Sequence, residues 1–182
     1  MKEIILVTGG QRSGKSRYAH QLALSLTDRP VYVATARIGD DEFRQRVRRH
    51  QAERGPEWTT IEEDRWLSRH DLSGRVAVID CITLWCSNFL FDRLGSESSE
   101  SKVQEAVNVC YEELRNEFDR FTAQDAVLIF VTNEIGMGGI SPDLIQRQFT
   151  DLQGWMNQYI ARKADRVVYM VSGIPVPIKT KS

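Results

Sequence analysis

The sequence predicts an α/β fold, an open and mainly parallel sheet flanked by helices, on three observations. Short apolar runs recur at residues 4–7, 31–34, 76–79, 127–131 and 167–171. Helical or mixed segments separate most of them, as expected of parallel strands joined by crossovers. The runs are nearly continuous in Val, Ile and Leu, which suits strands covered on both faces. A chain of 182 residues with 41% hydrophobic content supplies one core and little more, so a single domain over 1–182 is expected.

The first run, Ile4-Ile5-Leu6-Val7, leads into Gly9-Gly10-Gln11-Arg12-Ser13-Gly14-Lys15-Ser16, which fits the phosphate-loop pattern G-x-x-x-x-G-K-[ST]. Residues 17–26 behind it read as a helix. A glycine-permissive turn between strand and helix aims several backbone N–H groups at one anion. Lys15 then reaches the β and γ phosphates of a nucleoside triphosphate, and the Ser16 hydroxyl is placed to bind its Mg²⁺. The motif is strong evidence for binding and weak evidence for any particular reaction.

The second run ends in Ala34-Thr35-Ala36, and the segment after it carries a separate signal. Asp40 or Asp41 offers a helix cap, after which Phe43, Val47, His50 and Arg54 fall on one face. Arg44, Arg46, Arg48 and Arg49 surround that stripe with charge able to meet a polyphosphate, although arginines on a helix are usually a solvated face. On spacing alone, His50 reads as a packed or surface residue. His20 and His70 lack this arginine context and read as structural, and Glu62 and Glu63 read as surface carboxylates that nucleotide is able to reach.

The third run closes on Asp80, the position from which an acidic strand presents a carboxylate to the magnesium of a phosphate loop. The fourth ends in Thr132-Asn133-Glu134. Open parallel sheets bind ligands beyond the carboxyl ends of their strands, so these termini are expected along one edge. Residues 94–102, with Gly95 and four serines, read as a surface loop or linker.

A net charge of −1 gives no electrostatic reason to expect a nucleic-acid backbone or an anionic membrane as partner. Cys81, Cys86 and Cys110 form no C-x-x-C pair, and an odd number leaves one unpaired in any disulfide scheme. Buried, inert thiols in a reducing compartment are expected. The N-terminus runs straight into the first strand, and no apolar run approaches the ~20 residues of a membrane span, so a cytoplasmic protein is expected.

The phosphate loop with Thr8, the tract Val31-Tyr32-Val33-Ala34-Thr35-Ala36 and the His50 region together resemble one enzyme family. The likeness continues through Asp80-Cys81-Ile82-Thr83, Asn88, Thr132-Asn133-Glu134-Ile135-Gly136-Met137-Gly138, Asn157-Gln158, Ala164-Asp165-Arg166-Val167 and Ser172-Gly173-Ile174-Pro175. It is the bifunctional adenosylcobinamide kinase/adenosylcobinamide-phosphate guanylyltransferase family of cobalamin assembly. The resemblance implies a phosphate-loop NTPase (RecA-like) fold and reverses the reading of His50, which matches the histidine that becomes guanylylated. It implies Lys15 and His50 as catalytic residues, Ser16 and Asp80 as ligands of Mg²⁺, and GTP and ATP as substrates. It further implies nucleotide contacts from Ala34, Thr35, Ala36, Gln51, Arg54, Glu62 and Leu84. Adenosylcobinamide and adenosylcobinamide phosphate are the implied acceptors, and a homo-oligomer, typically a trimer, the implied assembly.

Three departures accompany the likeness: Arg49-His50 where many relatives carry adjacent histidines, Thr150 between Phe149 and Asp151, and an extra small residue in the loop 136–142. Two other readings of the residues remain, a phosphate-loop kinase of another small molecule and a GTP-dependent switch or assembly subunit. The switch is disfavoured because Thr132-Asn133-Glu134-Ile135 is not the N-K-x-D signature that reads guanine.

Overall fold

The computed structural model describes residues 2–37, 54–94 and 99–180. Strand β1 (Glu3–Gly9) runs into helix α1 (Lys15–Leu26), followed by β2 (Val31–Ala34), β3 (Thr59–Glu62) and β4 (Val76–Asp80). Helices α2 (Ile82–Phe91) and α3 (Glu100–Phe121), strand β5 (Val127–Val131), helix α4 (Leu144–Lys163) and strands β6 (Arg166–Val171) and β7 (Ile174–Lys179) follow, with short 3₁₀ turns at Leu67–Arg69 and Ile135–Gly138. All five predicted strands are present, each within two residues of its expected bounds. Helix α1 begins at Lys15, two residues ahead of expectation.

The strands form one sheet in the order β3-β2-β4-β5-β1-β6-β7. Every described pairing is parallel except β6 with β7. The expected mainly parallel sheet is therefore what forms, with β5 standing between the loop-bearing strand and the Asp80 strand in the RecA-like manner. Alternate residues of each strand point to opposite faces, which explains why the runs are apolar throughout. Ile4 and Leu6 join Val31, Val33, Ala77, Ile79, Leu128 and Phe130 under α2, α3 and α4. Ile5 and Val7 join Tyr32, Val76, Val78, Ile129 and Val131 under α1.

The helices follow from their stripes. Helix α3 buries Val103, Val107, Cys110, Leu114, Phe118 and Phe121, spaced three or four apart. Its buried Glu117 is satisfied by the Ser68 N–H at 2.7 Å and an Arg120 Nη2 at 2.9 Å. Helix α4 starts at Asp143, whose Oδ1 accepts the Gln146 N–H at 2.8 Å. Helix α1 has no side-chain cap and no acidic residue in its first turn, leaving its N-terminal N–H groups open.

Two strands escaped the sequence reading. The tract Thr59–Glu62 forms the edge strand β3, whose pattern is too polar to signal a strand. Strand β7 carries Pro175 and Pro177, which ordinarily argue against a strand but are tolerated at a sheet edge. The serine-rich segment is shorter than expected, because α3 begins at Glu100 and only 95–98 lie outside the described residues.

All three cysteines are free and buried. Burial pushes the Cys81 thiol up to about 12 and the Cys110 thiol up to about 11, and raises Cys86 as well. Thiol titration with an aromatic disulfide should therefore leave all three unreacted in native protein and modify them only in denaturant; rapid native labelling would contradict this packing. Asp143→Ala should cost about 1 kcal/mol of stability in urea unfolding, the usual worth of a helix cap.

Candidate active site

Strand pairing places Glu62, Ala34 and Asp80 in one row that leads toward the phosphate loop. Glu62 pairs with Ala34, Ala34 with Asp80, Asp80 with Val131, and Val131 with Val7, two residues before the phosphate loop. Neighbouring strands lie about 4.8 Å apart, so this row carries Asp80 to within roughly two strand widths of the loop. Ser16 lies in the first turn of α1, and Leu84 in the first turn of α2, packed against the core beneath α1.

The loop's shape depends on its glycines. Gly9 has φ 151° and Gly14 φ 96°, a region that favours glycine. A Cβ at Gly9 would stand 2.6 Å from the Met170 carbonyl oxygen and 2.9 Å from Ser13 Oγ. Arg12, at φ 56°, is the other left-handed residue of the loop. From outside, the β6–β7 turn braces it through the Gly173 N–H, which donates to the Ser13 carbonyl at 2.9 Å. Gly10 and Gln11 are exposed at its tip.

Lys15 is buried, and its Nζ donates to the Gly10 carbonyl at 2.5 Å. Desolvation lowers its pKa, while the Asp80 carboxylate and Cys81 act in the opposite direction. The phenol of Tyr32 lies against Asp80; burial and then that carboxylate hold its pKa well above the ordinary value. Arg54 stacks its guanidinium 3.8 Å from the Tyr32 ring centroid, and among the described residues its buried Nη1 makes no hydrogen bond. A buried cationic N–H without an acceptor is costly. Here it lies beside the carboxylate row, where a phosphate oxygen would satisfy it.

Thr35 is fully buried and already committed. Its hydroxyl donates to the Cys81 carbonyl at 2.7 Å, its N–H to the Asp80 carbonyl at 3.3 Å, and its own carbonyl accepts Asn88 Nδ2 at 2.8 Å. It binds the end of β2 to the β4–α2 turn, while Ala36 beyond it is half-buried. Glu62 is exposed at its strand end, whereas Glu63 accepts the N–H groups of Arg65 and Trp66 and lies 3.3 Å from His70 Nε2. Glu63 thus shapes the following turn. His20 packs its ring 5.0 Å from Trp58 and 5.4 Å from Tyr32. His50, Gln51 and the helix expected around them lie outside the described residues.

Sequence reasoning missed Tyr32, which an alternating strand pattern marks only as core, and assigned no role to Thr8, Glu134, Gln153 or Asn157. The available signal was polar: Gln153 and Asn157 stand four apart within the buried stripe of α4. No described cluster of His, Cys, Asp and Glu is large enough to cage a metal ion, and no described helix is long and apolar enough to cross a membrane.

A strand, a glycine-shaped loop with a buried lysine, an uncapped helix and an acidic strand end two strands away define a phosphate-loop nucleotide-binding enzyme. The family model described as "Cobinamide kinase / cobinamide phosphate guanyltransferase" matches residues 5–178, and the chain belongs to that family. The Pseudomonas aeruginosa bifunctional adenosylcobalamin biosynthesis protein CobP is 36% identical over 187 residues, covering 98% of this chain and 98% of its own. The proteins named CobU from Escherichia coli and Salmonella typhimurium are 36% and 38% identical, each covering 97% of this chain and 99% of their own. Like its family, this protein is a bifunctional enzyme of cobalamin assembly, a kinase and a guanylyltransferase acting on cobinamide.

Gly9→Ala should weaken GTP binding at least tenfold by calorimetric titration, because the loop must shift to clear Met170; unchanged affinity would refute the cradle. Asn88→Ala, which strands the carbonyls of Thr35 and Asp64, should cost about 1–3 kcal/mol in denaturant unfolding.

Proposed function

We propose that one phosphate loop, in one domain spanning 1–182, serves both reactions. In the kinase reaction the loop N–H groups and Lys15 hold a triphosphate, ATP or GTP, and direct its γ-phosphoryl group to the aminopropanol hydroxyl of adenosylcobinamide. In the second reaction neutral His50 attacks the α-phosphorus of GTP. A P–N bond forms, the bond to the bridging oxygen breaks, and pyrophosphate leaves. The phosphate of adenosylcobinamide phosphate then displaces the histidine and takes the GMP, giving adenosylcobinamide-GDP. Gly9 to Ser16, Ala34, Thr35, Ala36, Gln51, Arg54, Glu62 and Leu84 are the proposed nucleotide-binding residues.

The observation that supports this best is the buried Nη1 of Arg54, unpartnered among the described residues, on the ring of Tyr32, whose phenol lies against the Asp80 carboxylate. Arg54 stands four residues along the chain from His50, a span of at most ~14 Å. A phosphate there would lie within reach of both the loop and the proposed nucleophile. Thr35 contributes by fixing the strand end.

Ser16 and Asp80 suit a hard cation that takes only one or two protein oxygens and draws its other ligands from phosphates and water. Mg²⁺ held there would neutralise charge on the triphosphate. We further propose a cytoplasmic enzyme that assembles as a homo-oligomer, a trimer by family likeness, with no nucleic-acid partner.

The test is covalent labelling. Incubated with α-labelled and separately with γ-labelled GTP, then denatured, the protein should retain acid-labile, base-stable label from the α position alone. His50→Ala should lose that label completely while still transferring γ-label to adenosylcobinamide, and Lys15→Ala should lower both reactions by at least tenfold. Wild-type protein that takes up no α-label in the presence of Mg²⁺ would sink the histidine mechanism.

A further inference from the structure

Glu134 is a carboxylate hydrogen-bonded to the residues that open the phosphate loop. It lies just beyond β5, the strand between β1 and β4, and so emerges between the loop and the Asp80 strand. Its N–H donates to the Gly9 carbonyl at 3.2 Å. Its Oε1 accepts the Thr8 hydroxyl at 2.6 Å and Asn157 Nδ2 at 3.1 Å.

Asn157 is itself held from several sides. Its Oδ1 accepts the Thr132 hydroxyl at 2.7 Å and Gln153 Nε2 at 3.2 Å, and its Nδ2 also donates to the Asn133 carbonyl at 3.1 Å. Thr132, Gln153 and Asn157 are 0%, 1% and 6% exposed. Among the described residues Gln153 Oε1 is buried without a partner, so the network forms although one acceptor goes unsatisfied. Apolar side chains would fill that volume without such a cost.

What the network holds is one oxygen of one carboxylate. Glu134 is half-buried, and among the described residues its Oε2 takes part in no hydrogen bond and its carboxylate in no ion pair. A fixed negative charge beside a triphosphate opposes nucleotide binding. Its use therefore falls on the other reactant, which arrives carrying a proton it must lose.

Building on the kinase activity, we propose that Glu134 is the catalytic carboxylate on the acceptor side of phosphoryl transfer, its Oε2 receiving the proton of the attacking hydroxyl. As the hydroxyl oxygen bonds to the γ-phosphorus, the bond from γ-phosphorus to the bridging oxygen breaks. The nucleoside diphosphate leaves with the electron pair, and the proton passes to Glu134 and then to water. Guanylylation of a neutral histidine needs no such base, and the second acceptor is already a phosphate anion. The carboxylate therefore belongs to one reaction of the two.

Glu134→Gln tests this, because its amide oxygen still accepts from Thr8 and Asn157 and preserves the brace. With γ-labelled nucleotide and adenosylcobinamide, its kcat should fall about 100-fold, in the range of general-base loss, with both KM values within threefold of wild type. Glu134→Asp should restore part of that rate. Uptake of α-label from GTP by Glu134→Gln should fall by less than threefold. Undiminished γ-transfer by Glu134→Gln would overturn the assignment alone, as would an equal loss of both reactions, which marks a purely structural brace. Wild-type protein that transfers no γ-label to adenosylcobinamide would refute the kinase activity itself, and the assignment with it.

Discussion

The rest of the structure depends on the pairing of β1 on both edges. Hydrogen-bonded to β5 on one side and β6 on the other, it has no free edge. Its Ile5, Leu6 and Val7 are essentially inaccessible to solvent. Complete burial of a side chain this size stabilises the fold by about 1.5–3 kcal/mol, so this strand cannot slide without large loss. Rigidity in β1 becomes precision at Gly9, where the chain turns out of the sheet. From there the backbone must reverse within a few residues to start α1, and only glycine accepts the required angles at 9 and 14.

Around this fixed point the charges nearly balance. Burial makes the Lys15 ammonium expensive, and the Asp80 carboxylate offsets part of that cost. Asp80 meets Tyr32 on its other side, and Tyr32 carries the Arg54 guanidinium on its ring face. In the proposed site a triphosphate would meet Lys15 and Arg54 already held by burial and ring stacking, so little of its binding energy would be spent on ordering them. The uncapped first turn of α1 adds partial positive charge in the same direction.

The sheet also separates two kinds of polar group by the job they do. Thr35 and Asn88 are consumed within the protein, joining the ends of β2 and β4 to the turn before α2. Thr132, Gln153 and Asn157 are buried too, yet their network ends on Glu134, a side chain facing the mouth of the loop. The first set sets the spacing of the strand ends; the second aims a functional group.

The local part of this was readable from residue order. Five strands and the phosphate loop follow from β-branched runs and from glycines that no other residue replaces, because both signals reside in contiguous residues. The row Ala34, Asp80 and Thr132 was legible as a set of strand ends, and likeness to a family singled out His50. Strand β7 was hidden because its prolines argue against a strand until its place at the sheet edge is known, and β3 because its pattern is polar. Tyr32 and Glu134 stood within stretches that carry the family likeness, Glu134 at a strand end, yet neither was given a role: one reads as strand core, and the partners of the other lie far along the chain. Sequence alone determined five of the seven strands and the glycine-shaped loop that follows the first. Strand order, register, the contact of Tyr32 with Asp80 and Arg54, and that of Glu134 with Thr8 and Asn157 were settled only by tertiary structure, since each depends on residues far apart in the chain meeting at a common surface.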